Sequence, residues 1–320
     1  MPYKVLVCHR PGGAFAYISD GWVNALNDSG HIAKRWTGNL TDWNEFDPDL
    51  YIGCSSHRQP VPSVRRALVA IHVNPFGPID IPGIMESQDS IDWVKSVKAD
   101  AVFGYAHESD RPMWSHWTSR LAIPFCPMAT AGDLTLYQDL QAERSVDIVY
   151  VGGRWGYKAK TIDQFLFPVL REHNYSLAGW GDWPDWVKAR SIDDGDVNAF
   201  FNLGKVAPCI SEYHTHTHGI DLPERMWKTI LAGCLPIHDT AKDVRKYLPS
   251  VPTADNPKMF SDFVRYFVKS DDERRLLVAR LKKELYDGWH TYHHRVANLL
   301  LVLGLDGQAL IERAAARTQI

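Results

Sequence analysis

The chain has 320 residues, a formal net charge of −3, and 45% apolar against 23% charged residues, a globular balance with length enough for two domains. Such a charge gives no general attraction to nucleic acid, so any such contact would need a local basic groove. Five scattered cysteines (Cys8, Cys54, Cys126, Cys209, Cys234), odd in number and without a CxxC pair, exclude a disulfide framework and suit reduced thiols.

The apolar run at the start, Tyr3 to Cys8, is too short for a secretory signal, and no stretch approaches the roughly 18 apolar residues of a membrane helix. The expected location is cytoplasmic, with no membrane span. The same run is β-branched and predicts a strand. A polar, glycine-bearing loop through Gly21 follows, then a helix from about Ile18 to Ser29 closed by Gly30. Short strands recur at 49–54, 67–73 and 100–105, each leading into a loop rich in Gly, Pro, His or Ser. After a polar connection, 129–145, the pattern restarts. VDIVYVGG (146–153) is a strand running into glycines, and 160–173 is an amphipathic helix. Strands at 175–181 and 205–211 follow, then a helix from Pro223 to Gly233 and a strand at Leu235–Ile237. The rest, 259–302, is helical by its spacing. Strands alternating with helices in this way predict α/β units with parallel sheets. The expected domains are 1–135 and 145–290, with a C-terminal helix, 291–320, that packs back on the first.

Two segments concentrate polar groups at the ends of strands. In VGGRWGYKAK (151–160), Gly152 and Gly153 let backbone approach a ligand, and Arg154, Lys158 and Lys160 supply cations for a diphosphate. A plain βα turn with solvated charges is the other reading. No P-loop and no dinucleotide fingerprint is present, which disfavours ATP hydrolysis and NAD chemistry. In Pro208–Asp239, Pro223 and Glu224 suit a first helical turn, and Arg225 and Lys228 follow on the same helix, which is otherwise an ordinary capped one. The run His214, His216, His218, taken as extended, would put three imidazoles on one side. That is a poor tetrahedral cage, so a polar loop with ligand-facing histidines is preferred over a zinc site. In the first half, Asp20 and the loop bearing His107, Glu108 and Asp110 follow strands and are candidates to take a proton from an acceptor. The acid pairs at 47–49 and 193–196 are too common in loops to signal a metal. The twelve tryptophans read mainly as packing. Those beside loop glycines and acids also suit stacking on sugar rings or bases.

Four stretches, in order, resemble one family. DIVYVGGR, YSLAGWGDW, YHTHTHGIDLPERMWKTILAGCLPIHD and DDERRLLVARLKKELYDGWHTYHHRVANLL are similar to the donor half of GT-B glycosyltransferases, in particular the CgeB-like branch of the group-1 glycosyl transferases. The resemblance covers about 146–300, and GGAFAYISDGWVNAL resembles the first βα unit of the acceptor domain. Many retaining members carry two glutamates separated by seven residues; here those positions hold Ile220 and Lys228. Retention or inversion therefore stays open. The resemblance implies two Rossmann-like domains facing across a cleft and a nucleotide-sugar donor held mainly by the second. The donor-binding candidates are Gly12, Gly13, Gly153, Arg154, Lys158, Gly181, His218, Gly219, Glu224, Arg225 and Lys228. Asp20 and His107 are the catalytic candidates, with no metal ligand and no obligatory cofactor. The acceptor hydroxyl belongs to a surface glycan or to a hydroxymethylated base in phage DNA, for which Arg58, Arg65, Arg66, Lys95 and Lys98 would have to form the basic cleft. The alternatives are a non-catalytic nucleotide-sugar-binding protein of the same fold and a histidine-rich metallohydrolase.

Overall fold

The computed structural model describes residues 1–9, 13–75, 86–239 and 244–318. The chain divides into two compact units, Met1–Thr135 with Thr291–Ile320, and Leu136–His290. The first unit carries β1 (Lys4–Cys8), α1 (Gly13–Asp28), β2 (Ile32–Trp36), α2 (Leu40–Phe46), β3 (Leu50–Cys54), β4 (Leu68–His72), α3 (Gln88–Ser96), β5 (Ala101–Gly104), α4 (Ser115–Ser119) and β6 (Phe125–Pro127). Among the described residues its strands form a six-stranded sheet, order β2-β1-β3-β4-β5-β6, with every pair parallel. A parallel sheet is covered on both faces, so its strands are apolar throughout instead of alternating. β3 is accordingly buried at all five positions.

From Gly13 to Gly21 the expected glycine-bearing loop is instead helix, because α1 begins at Gly13; the stretch 10–12 lies outside the described residues. Phe15, Ile18, Trp22, Ala25 and Leu26 recur at helical spacing, and burying that stripe on the sheet outweighs the poor helix propensity of the glycines.

The second unit carries β7 (Val146–Val151) and α5 (Gly156–Thr161), which runs through a π turn (Ile162–Leu166) into α6 (Phe167–Glu172). There follow β8 (Tyr175–Ala178), β9 (Ala189–Arg190), α7 (Val197–Asn202), β10 (Gly204–Cys209), α8 (Tyr213–His218), α9 (Arg225–Leu231), β11 (Leu235–His238), α10 (Pro257–Lys269) and α11 (Asp271–Asp287). Its sheet is again parallel, order β11-β10-β7-β8-β9. The chain reverses its winding between β7 and β10, and in open parallel sheets the crevice beyond the carboxyl ends at that point is where ligands bind.

One expectation here is overturned: the histidine run is α8, not an extended segment. Thr215 is fully buried, and Gly219, at φ 71°, closes the helix by bonding its N–H to the Thr215 carbonyl at 3.0 Å. Alternating Thr and His carries no apolar period from which the sequence could reveal that.

The chain ends in the first unit with α12 (Tyr292–Val302) and α13 (Gln308–Thr318). Tyr292, Val296, Ala297 and Leu300 share one core with Trp22 and Leu26 of α1. Asp28, the last residue of α1, ties both helices down. Its carboxylate meets His293 Nε2 and Arg313 at 3.0 Å and Arg317 at 2.5 Å. The Arg317 hydrogen bond, helped by those of Arg313 and His293 against a smaller effect of burial, holds Asp28 well below the usual carboxylate range.

Candidate functional site

The carboxyl ends of β7, β8 and β10 in the second unit gather most of the candidates. After β7 the chain passes Gly152 and Gly153 and forms a bridge with the loop after β8: Arg154 N–H donates to the Trp180 carbonyl at 2.9 Å. Gly181 sits at φ 107°, and a Cβ there would lie 2.0 Å from the Arg154 carbonyl oxygen, so only glycine fits. The two loops are thereby locked together.

Among the described residues Arg154, Lys158 and Lys228 are ion-paired, while Arg225 and the exposed Lys160 are not. Arg154 makes a bidentate pair with Asp163, both bonds 3.0 Å, and donates to the Asp182 carbonyl at 2.5 Å. Lys158, 5% exposed, pairs with Glu212 at 2.9 Å. Lys228 and Glu224, one turn apart on α9 and both buried, pair at 2.8 Å, with Lys228 also over the Tyr137 ring. The Lys228 charge is thus answered by a neighbouring glutamate on the same helix. Arg225 differs. It is half-buried over the Tyr150 ring and donates to the Ile210 carbonyl at 3.1 Å and to the Tyr150 hydroxyl at 3.5 Å. No carboxylate among the described residues is ion-paired with it. Burial acts to lower its pKa, but Tyr150, Cys209, Glu212 and Asp239 act more strongly the other way, so it stays charged. A half-buried cation that no carboxylate among the described residues ion-pairs, at a switch point, is placed to receive an anion.

The histidines separate on α8. His214 meets Asp221 at 3.2 Å and His216 meets Asp239 at 3.1 Å, while His218 is the last residue of the helix beside Gly219. Positions i, i+2 and i+4 of a helix cannot converge on one ion. Among the described residues no group of three His, Cys, Asp or Glu side chains is arranged to hold a metal. Asp239 is fully buried and accepts the Ser211 N–H at 2.7 Å. Burial would raise its pKa, yet the facing His216 and His238 rings hold it well below the ordinary range. Sequence reasoning did not single out Asp239, Glu212 or Asp163. Trp155 and Trp180 carried a signal, since both stand beside loop glycines.

In the first unit Asp20, on α1, pairs with Arg35 at 3.0 Å. His107 caps the short 3-10 helix Glu108–Trp114: its Nδ1 accepts the Ser109 N–H at 3.2 Å, and Asp110 accepts the His107 N–H at 3.3 Å. A small pocket of about 40 Å³ opens at the carboxyl ends of β1, β3 and β4, lined by Cys8, Ser19, Cys54, His72 and Tyr105 among others; neither Asp20 nor His107 lines it. Gly13 is the first residue of α1, and Gly12 lies outside the described residues. No helix among the described residues is long and apolar enough to cross a membrane.

Comparison with known proteins agrees with this geometry. Residues 154–301 match the family described as glycosyl transferase-like. No curated protein matches the chain in sequence. Among solved structures it is similar to T4 phage β-glucosyltransferase, with a TM-score of 0.63 and 11% identity over 94% of this chain and 100% of the other. The catalytic domain of starch synthase IV from Arabidopsis thaliana, bound to ADP and acarbose, gives 0.61 and 9% over 97% and 99%. Sucrose-phosphate synthase from Thermosynechococcus elongatus gives 0.60 and 10% over 98% and 100%. The chain therefore has the fold of the GT-B glycosyltransferases, and its stretch 154–301 is glycosyl transferase-like.

Proposed function

We propose that the protein is a glycosyltransferase of the CgeB-like, group-1 kind that moves a sugar from a nucleotide-sugar donor to an acceptor hydroxyl. The observation that carries this is Arg225, charged and not ion-paired to any carboxylate among the described residues, beside the glycine loop at the switch point of the second sheet. Arg225 would meet the diphosphate, and preorganised positive charge at that point lowers the cost of the charge that develops on the leaving group. The second unit is then the donor side and the first unit, 1–135 with the helices after residue 290, the acceptor side. Gly153 and Gly181 shape the loops that the diphosphate approaches. Arg154, Lys158, Glu224 and Lys228 act as the paired frame around Arg225, and His218 and Gly219, at the end of α8, are the further donor-contact candidates. Asp20 is the first candidate to position or deprotonate the acceptor, which requires it to share or release Arg35, and His107 is the second.

T4 phage β-glucosyltransferase, a structural neighbour, is a DNA-modifying enzyme. A hydroxymethylated base in DNA is accordingly kept as an acceptor beside a surface glycan. The test is a panel of nucleotide sugars, each with hydroxymethylated duplex DNA or with polysaccharide, read as nucleoside diphosphate release and as thermal stabilisation. Stabilisation and turnover with one donor are expected. Stabilisation without turnover on any acceptor would leave a nucleotide-sugar-binding protein, and no stabilisation by any donor would overturn the reading.

A further inference from the structure

The second unit exposes aromatic rings where its loops would meet a ligand. Trp155 is 46% exposed and Trp180 63%, with their planes 13° apart and centroids 6.4 Å apart. Tyr157 and Tyr213, 72% and 54% exposed, stand together at 5.8 Å on α5 and α8. Exposed apolar side chains gathered in one patch mark a candidate binding surface, where singly scattered ones do not. The backbone is ordered here: the Trp180 carbonyl accepts both the Arg154 N–H, at 2.9 Å, and the Trp183 indole N–H, at 3.1 Å. The Trp180 ring lies against the glycine loop, since a Cβ on Gly153 would come within 2.8 Å of it. A Cβ on Gly152 would come within 2.7 Å of Arg225 Nη2. Two consecutive glycines thus carry, on one side, a cation that no carboxylate among the described residues ion-pairs and, on the other, a flat, exposed indole.

We propose that Trp180, with Trp155 parallel to it, is a stacking surface for the nucleobase of a nucleoside diphosphate whose phosphates meet Arg225. This rests on the donor reading above and adds to it the residues that hold the base. A nucleoside diphosphate carries a flat π ring and a dianion joined by a short linker, which is the pair of features the Gly152–Gly153 step presents. A sugar ring can stack on an indole but brings no charge to Arg225, and an apolar protein segment leaves that cation unanswered. Because stacking reads a π face and not a hydrogen-bond pattern, it supplies affinity for any base and little choice among them.

The experiment measures binding of UDP, ADP, GDP and inorganic pyrophosphate by calorimetry to wild type, Trp180→Ala, Trp180→Phe and Trp155→Ala. Removing a stacking ring should weaken the tightest nucleoside diphosphate by about tenfold or more. Pyrophosphate binding should not change, and Trp180→Phe should restore most of the loss. Unchanged melting temperatures, expected for side chains this exposed, show that the variants fold. If Trp180→Ala binds nucleoside diphosphates as wild type does, the stacking surface is overturned while the donor reading stands. If wild type binds no nucleoside diphosphate, both fall. If Trp180→Ala loses binding of a soluble oligosaccharide but none of a nucleotide, the surface belongs to a glycan and the proposal is wrong.

Discussion

Asp28→Asn removes the charge that joins α1 to both C-terminal helices of the first unit while keeping the side chain's shape. Three cationic or imidazole groups lose their common acceptor. The His293 ring is fully buried, and its hydrogen bond to a charged group contributes about 1.5–3 kcal/mol. Arg313 and Arg317 are 44% and 31% exposed, so solvent screening reduces each to about 0.5–1 kcal/mol. The expected destabilisation is therefore roughly 3 kcal/mol, or a melting temperature lower by about 6–12 °C for a unit of this size. Calorimetry and urea unfolding of the full chain measure it, and hydrogen exchange localises it, with α13 and the first turn of α12 exchanging first. The pH dependence supplies a second check. The folded pKa of Asp28 lies below its unfolded value of 3.8, so its stabilisation is complete above about pH 4 and is lost as pH falls further. The variant should lack that part of the acid slope. A loss under about 1 kcal/mol, or an acid slope identical to wild type, would show that the cluster is ornamental and that apolar packing alone docks the two helices.

His294, buried on α12, has its pKa lowered to about 4, first by burial and then by the Arg295 charge. The unfolded ring titrates near 6.5, so the protein should lose about 3 kcal/mol as pH falls from 6.5 to 4, and His294→Gln should flatten that slope in pH-stepped urea titrations. Arg225→Lys keeps the charge but removes the planar fork that bridges the Ile210 carbonyl and a phosphate; nucleoside diphosphate affinity, measured by thermal shift, should fall about tenfold or more. Equal affinity would dissociate Arg225 from the anion. Zinc should neither copurify in stoichiometric amount nor raise the melting temperature, because His214 and His216 face separate carboxylates. Elemental analysis decides this, and one bound zinc per chain would reinstate the three-histidine site.

Much of the scaffold is written locally. A parallel sheet buried on both faces needs continuous apolar runs, so β1, β3, β4, β7 and β10 stand out as such in the sequence. Gly233, at φ 74°, marks the end of α9 through the left-handed backbone that glycine adopts without strain. The order of motifs from 146 to 300 likewise points to a GT-B donor half without reference to coordinates. Other elements lie beyond local reading. β9 is two residues long and exposed, and β2 has exposed positions among its apolar ones; both become strands only because a neighbouring strand offers its edge. The start of α1 at Gly13 and the helical form of the histidine run are set by what Phe15 and Thr215 can bury against, against the local preferences of Gly and Thr.

The same division runs through the candidate site. Residue type alone placed several cations near two glycine loops, and that much follows from composition and spacing. Which of them is neutralised depends on partners brought from afar: Glu212 reaches Lys158 across 54 positions of sequence, and Asp163 reaches Arg154 from the next helix. Charge compensation is a pairwise, short-range effect in a medium of low polarity, so it is decided by distances that only the folded chain creates. Sequence therefore determined the fold class and the neighbourhood of the site. Tertiary structure decided that Arg225, half-buried, has no ion-paired carboxylate among the described residues and that Trp180 lies exposed across the Gly152–Gly153 step from it.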